Sequence, residues 1–302
     1  MQAAMSSLRE VADPELLTLT CGGATAQVAL RGAELRAWRH GARDLIWLSD
    51  PRFWTDTAPL LFPVVGWTRD GTVRVHGRIY PLGLHGFARA KVFRLESRTA
   101  AAARLTLEAD AATRASYPFD FRLSVDYELG ESGLACRLTV TNSGETPMPY
   151  ACGLHPGFRW PFAGGERAQY RIRFAEAEQP EVPVITSSGL FSALKRPVPI
   201  EDRILLLSDP LLAQEALCFL NARSRWLRFE HESGAAICLS VEDFEHFALW
   251  SRPGAPFLSI EAWTGHGDPE NFSGDLFEKP SMRILKPGAA ACHAAWFSYE
   301  AV

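Results

Sequence analysis

Glu261 is the only ionisable side chain in the run "FLSIEAW", residues 257–263. If that run is a strand, Leu258 and Ile260 share one face. Glu261 takes the other, with Trp263 one step further on the same side. A carboxylate among apolar neighbours costs free energy unless it is paired or faces a cavity. Burial also raises its affinity for a proton toward neutrality, which suits a general base. The alternative is a solvated strand face. Two histidines stand in matching phrases, His85 in "GLHGFAR" (83–89) and His155 in "YACGLHPGFRW" (150–160). Glycines flank both, and Pro156 follows His155 directly. Proline interrupts pairing and glycine permits a sharp turn, so His155 is expected to project from a strand end. Each histidine alone reads as structural; the shared context of the two points to a common site.

The other histidines carry less. His40 and His76 read as turn residues, His231 belongs to the polar "EHESG" turn, and His246 and His293 read as strand-face residues. His266 follows Glu261 closely enough for a cavity rim. Neither HxH nor HxxxH spacing occurs, so nothing calls for a metal, although His85, His155 and Glu261 could in principle supply two imidazoles and a carboxylate. The chain has nine tryptophans, more than a core needs. Trp67, Trp160 and Trp263 lie near these phrases. Aromatic faces stack on the apolar faces of sugar rings, so a carbohydrate pocket is the natural guess.

The elements that must position these residues are strands. In "FRLSVDYELG" Phe121, Leu123, Val125, Tyr127 and Leu129 alternate onto one face. Leu134, Cys136, Leu138 and Val140 do so in the next run, and the Gly130–Gly133 turn makes the two a hairpin. "TVRVHGRIYPL" reads as a second hairpin with His76-Gly77 at its turn. Helical pattern is scarce; the best is 209–217, with Asp209 as N-cap and Pro210 in the first turn. The proline-punctuated segment 180–199 reads as a surface excursion. The reading is all-β: one large antiparallel β-sandwich, a single domain over residues 1–302.

Composition sets the class. Of 302 residues, 47% are hydrophobic and 22% charged, enough for a large core. A net charge of −4 gives no basic footprint for nucleic acid and no polybasic membrane patch. Six cysteines are scattered singly without a CxxC, which suits buried, reduced thiols. The N-terminal run lacks the apolar stretch of a signal peptide, and no run approaches membrane-spanning length. A soluble, cytoplasmic protein with a small neutral partner is expected, and a homodimer is one possible assembly.

Four motifs occur in order: "LFPVVGWTRDGTVRVHGRIYPLGLHGFAR", "PYACGLHPGF", "WSRPGAPFLSIEAW" and "GDLFEKPSMRILKPG". Together they resemble the aldose 1-epimerase family, within the galactose-mutarotase-like superfamily and nearest its LacX-like branch, from about Leu16 to the end. The resemblance implies a β-supersandwich with an open sugar cleft and a mutarotase needing no cofactor. It implies Glu261 as the base that takes the anomeric proton, His155 as the acid at the ring oxygen, and His85 as a second active-site histidine. Relatives carry a sugar-contacting arginine where Trp67 stands. Arg69, two positions on, is one candidate to replace it, and stacking by Trp67 is the other. Glu215, in "AQEAL", matches an acidic sugar-binding position. Arg89 is typical of the family, with a structural ion pair as the plainer reading, and Trp263 is expected at the sugar. A hexose-6-phosphate 1-epimerase would need a basic pocket, for which Arg69, Arg89 and Arg159 are the candidates. A sugar-binding module without turnover is the rival of another class.

Overall fold

The computed structural model describes residues 16–301. The N-terminal run read above for a leader lies outside them. The chain is nearly all β, and every pairing between its named strands is antiparallel. Two sheets dominate. A ten-stranded sheet runs from Ile200–Glu201 at one edge to Arg94–Arg98 at the other. At its centre lie Ala236–Glu242, Ala290–Glu300, Gly133–Asn142 and Phe121–Leu129. A six-stranded sheet orders Leu217–Phe219, His246–Trp250, Phe257–Trp263, Gly153–Leu154 and Leu60–Leu61, with Gly157–Arg159 also paired to Phe257–Trp263.

The expected hairpin is present, with Val125 opposite Leu138 and Leu129 opposite Leu134. Its alternation is why it forms: all nine apolar residues named above are buried, and they sit in the main core cluster. Aromatic contacts bind the two large sheets face to face. Phe158 meets Phe297 at 5.7 Å and Phe174 meets Phe219 at 5.0 Å, centroid to centroid. Burying such a ring is worth about 1.5–3 kcal/mol, so these contacts fix how the sheets stack.

The second hairpin also forms, Thr72–Val75 against Arg78–Pro81. Its turn takes left-handed backbone at His76 (φ 48°) and Gly77 (φ 78°), matching the twist of the strands. Two readings need correction. His40 ends the strand Leu35–His40 and packs on Tyr299, because the turn lies one residue later, at Gly41. The helix expected over 209–217 spans only Asp209–Leu212. Its N-cap is Ser208, whose extended backbone lets its hydroxyl accept from the Leu211 N–H, so Asp209 is the first helical residue. Left-handed Glu215 (φ 71°) then breaks the path, and Leu217–Phe219 enters the sheet. The 180–199 excursion is folded as a hairpin of its own, Glu181–Ile185 against Phe191–Pro197, outside both large sheets.

Candidate active site

Glu261 lies in the strand Phe257–Trp263, all seven of whose residues are buried. Ala248 pairs with it on one side, and Cys218 pairs with Ala248 in turn. Small side chains beside the carboxylate therefore leave space above the sheet. That space is a cleft of about 750 Å³ lined by Glu261, His155, His85, Trp67, Arg89, Glu215 and Trp263, with others named below.

The neighbouring strand explains His155. Gly153 pairs with Trp263 and Leu154 with Ala262; beyond the interruption, Gly157 pairs with Ser259 and Phe158 with Leu258. The register on the two sides is the same, so His155 falls opposite Glu261. The expectation of a strand-ending turn is corrected here. Proline removes one donor, but the Pro156 carbonyl still accepts from the Ile260 N–H (3.1 Å), and the ladder resumes. Facing positions of adjacent strands bring side chains together, and His155 Nε2 lies 3.3 Å from Glu261 Oε2.

Ser259, Glu261 and Trp263 share one face of their strand, and Ser259 and Trp263 each contact one member of the pair. The Ser259 hydroxyl is 2.8 Å from His155 Nδ1. The Trp263 indole N–H donates to Glu261 Oε2 at 3.0 Å. Aromatic groups enclose the imidazole: Trp54 lies over it at 4.9 Å, Trp250 meets it edge-on at 5.8 Å, and His85 edge-on at 5.5 Å. Gly157 permits this wall, because a β-carbon there would sit 2.9 Å from the Trp54 ring.

The electrostatics follow from burial. Loss of water pushes the Glu261 carboxyl well above its usual range, and the Trp263 hydrogen bond only partly opposes that. Burial pulls His155 down to about 3, and Arg89 adds to the effect. His85 is also held well below its ordinary value, by burial first and then by His155 and Arg89. A left-handed turn carries His85 (φ 62°). The Gly66 N–H donates to its Nδ1 at 3.1 Å, which leaves Nε2 as the proton-bearing nitrogen of the neutral ring.

Of the other predicted residues, Trp67 lines the cleft and is 45% exposed, open enough to stack on a ligand. Glu215 lines it on its left-handed turn. Arg89 is both things predicted of it, a lining residue and the partner of Asp56 at 3.0 Å. Trp263 lines the cleft, but its N–H is committed to Glu261. Arg69 is a correction: it is absent from this lining. Its Nε donates to the Phe272 carbonyl at 3.0 Å and its backbone N–H to Asp268 at 2.8 Å, which hold it beside a separate cavity of about 230 Å³. Arg159 pairs with Asp44, likewise outside the cleft. Trp160 is buried under Arg167. His266 is buried behind the rim, against Phe191.

Sequence reasoning passed over Trp54, Asp56, Trp250, Arg252 and the hairpin tip Thr186–Gly189, all in the lining. It also passed over Ser259, although its period-two spacing from Glu261 was a readable signal. Among the described residues no group of three or more His, Cys, Asp or Glu is arranged to hold a metal ion. Nor is any helix there long and apolar enough to cross a membrane.

Comparison with known proteins places the chain in a family. The aldose 1-epimerase family profile matches residues 15–295. The chain belongs to the aldose 1-epimerase family. It is 30% identical over 256 residues to the chromosomal and plasmid LacX proteins of Lactococcus lactis subsp. lactis, covering 81% of this chain and 85% of theirs. Among solved structures it resembles a galactose mutarotase related enzyme from Lactobacillus acidophilus (TM-score 0.88, 26% identity, 95% of this chain and 97% of that one). A galactose mutarotase-like protein from Lactobacillus casei is as similar (TM-score 0.88, 26% identity, 94% and 100%). Membership makes this aldose 1-epimerase homologue an isomerase of the epimerase and mutarotase type, within carbohydrate metabolism.

Proposed function

We propose that the protein interconverts the α and β anomers of an unphosphorylated aldose, with Glu261 as base and His155 as acid. The carrying observation is the pairing of these two side chains across adjacent strands, 3.3 Å apart in the floor of a cleft. Glu261 takes the proton from the anomeric hydroxyl as His155 gives one to the ring oxygen. The C1–O5 bond breaks and C1 becomes an aldehyde. Rotation about C1–C2 and the reverse proton transfers close the ring on its other face. The pair thus alternates between carboxylate with imidazolium and carboxylic acid with neutral imidazole, holding the same number of protons throughout. Burial favours the neutral form of both partners, which is the form needed while the sugar is open. Because the pair titrates as a unit, its proton can reside on either partner. No step calls for a cofactor.

The charge distribution favours a neutral sugar over a phosphorylated one. Two of the three arginines considered for a phosphate, Arg69 and Arg159, lie elsewhere, and Arg89 is paired with Asp56. Arg252 remains in the lining, with its guanidinium 5.7 Å from the Trp250 ring centroid. Trp67 and Trp54 offer ring faces for stacking.

Polarimetry of freshly dissolved α-D-glucose, α-D-galactose and further aldoses tests the proposal, with hexose phosphates as the contrast. Wild type should speed the approach to anomeric equilibrium of a free aldose. Glu261→Gln should bind the sugar and not turn it over. Acceleration of hexose phosphates alone would overturn the substrate class. Binding without turnover by wild type would make the protein a sugar-binding module.

A further inference from the structure

An imidazole that gives and takes a proton through Nε2 must keep Nδ1 protonated throughout, since a proton on Nε2 of the neutral ring would block the return transfer. A buried histidine is often held in that tautomer by a carboxylate behind it. Here the group behind His155 is the Ser259 hydroxyl, at 2.8 Å from Nδ1, and a hydroxyl can either donate or accept. A third atom resolves the ambiguity. Ser259 Oγ also lies 3.2 Å from the Pro156 carbonyl oxygen, which can only accept. If the hydroxyl proton goes to that carbonyl, a lone pair on Oγ is left for the N–H on Nδ1.

We propose that Ser259 is a positioning residue, locking His155 in its Nδ1–H tautomer through the chain Nδ1–H to Oγ–H to the Pro156 carbonyl. The chain serves both states of the ring, because neutral imidazole and imidazolium each carry a proton on Nδ1. Nε2 then faces Glu261 Oε2 with its lone pair in one state and its proton in the other. Ser259 is fully buried, so no water competes for the contact. The Pro156 carbonyl is itself fixed by the Ile260 N–H at 3.1 Å. The interruption at His155–Pro156 thus has a use: it turns a ladder carbonyl into the anchor of the tautomer. The catalytic part of this inference rests on the proposed mutarotase reading; the tautomer does not.

The experiment is nitrogen-15 NMR of histidine-labelled protein at neutral pH, with His155 assigned by its loss in His155→Gln, alongside steady-state mutarotation. Wild type should show a protonated Nδ1 and an unprotonated Nε2. Ser259→Ala takes the hydroxyl acceptor away from a buried N–H, so its ring should move toward the Nε2–H tautomer. Its kcat should fall by roughly 10- to 100-fold with KM little changed. The acidic limb of the kcat profile should move to lower pH, because the imidazolium loses a hydrogen bond while Glu261, His85 and Arg89 still face it. Ser259→Thr, which keeps the hydroxyl, should restore both tautomer and rate. An Nε2–H tautomer in wild type overturns the proposal, as does an unchanged tautomer in a folded Ser259→Ala variant. If wild type accelerates no sugar, the mutarotase reading falls, and the NMR result alone decides the role of Ser259.

Discussion

Two buried pairs of a carboxyl and a basic group lie near the cleft, and they behave differently. His155 and Glu261 sit in its floor. Lys279 and Asp268 sit behind its rim, 2.8 Å apart, with side chains 1% and 6% exposed. An ordinary lysine and aspartate differ in proton affinity by about six pH units, whereas histidine and glutamate differ by about two. Burial lowers Lys279 and Asp268 opposes that, so attraction to the carboxylate works to keep the lysine charged. In the other pair, burial lowers His155 to about 3 and raises Glu261, which reverses their ordinary order and favours the proton on the carboxyl beside a neutral imidazole. Asp268 also has structural duties: its side chain accepts from the Arg69 N–H, its own N–H donates to the Trp67 carbonyl, and its carbonyl accepts from the Phe191 N–H. In the proposed mechanism the first pair exchanges a proton, while the second pins the rim. The size of the affinity gap distinguishes them, since both are buried.

The largest expected effect breaks the first pair. Glu261→Gln should lower kcat by at least about 10²–10⁴-fold, the usual worth of a general acid or base. Stability should hold or rise, because the carboxyl is already forced toward its neutral form. Polarimetry and urea denaturation on one preparation would check this. A large loss of stability would make Glu261 a structural residue and erase the contrast with Asp268.

Lys279→Met should do the reverse. Removing one partner strands a buried carboxylate, at a cost of roughly 3–5 kcal/mol, read from the urea midpoint. The folded fraction should keep its kcat while KM rises, because Trp67 and Phe191 lose a fixed anchor. A fall in kcat with KM unchanged would show that the rim pair also acts in the chemistry.

The contrast between these pairs also shows what could be read in advance. The strands were legible because alternation writes the buried face directly, as in Phe121–Leu129. Glu261 was legible as a lone charge in an apolar run, and the histidines by their repeated setting. The facing of His155 and Glu261 was not, since it depends on a register that survives an interruption. Arg69 was misplaced because sequence offset says nothing about the backbone anchor at Asp268. The hydroxyl tip Thr186–Ser188 reads as any polar turn until it is seen folded over the cleft.

The pH dependence of stability is a third, smaller test. His155 and His246 are each lowered from 6.5 to about 3 in the folded protein, both first by burial. Between those values the unfolded chain binds more protons, so their contribution is present above about pH 6.5 and is lost as pH falls toward 3. From pH 7 to pH 5 each should cost about 2 kcal/mol. Glu261 is raised instead, so its contribution weakens as pH rises above its unfolded value, 4.5. His85, His246, His266 and His293 also contribute to the acid-side loss between pH 7 and 5, each lowered first by burial. His155→Gln should remove its own share of that loss, about 2 kcal/mol, measured by urea denaturation at the two values. A slope unchanged by that substitution would mean His155 is not held neutral by burial.

The smallest effect separates rim from floor without touching either pair. Gly189 has a left-handed backbone (φ 80°), and a β-carbon there would lie 1.9 Å from Cδ1 of Trp67. Gly189→Ala must therefore displace the indole as well as strain the turn. The strain costs about 1–2 kcal/mol, but the indole can yield, being 45% exposed. The hairpin that carries Gly189 belongs to neither large sheet, so the facing of His155 and Glu261 should not change. The expected result is a KM raised several-fold, kcat within about twofold of wild type, and altered tryptophan fluorescence. If kcat fell as far as KM rose, Trp67 would have to position the anomeric centre against the catalytic pair. The rim would then share in the chemistry that the comparison assigns to the floor alone.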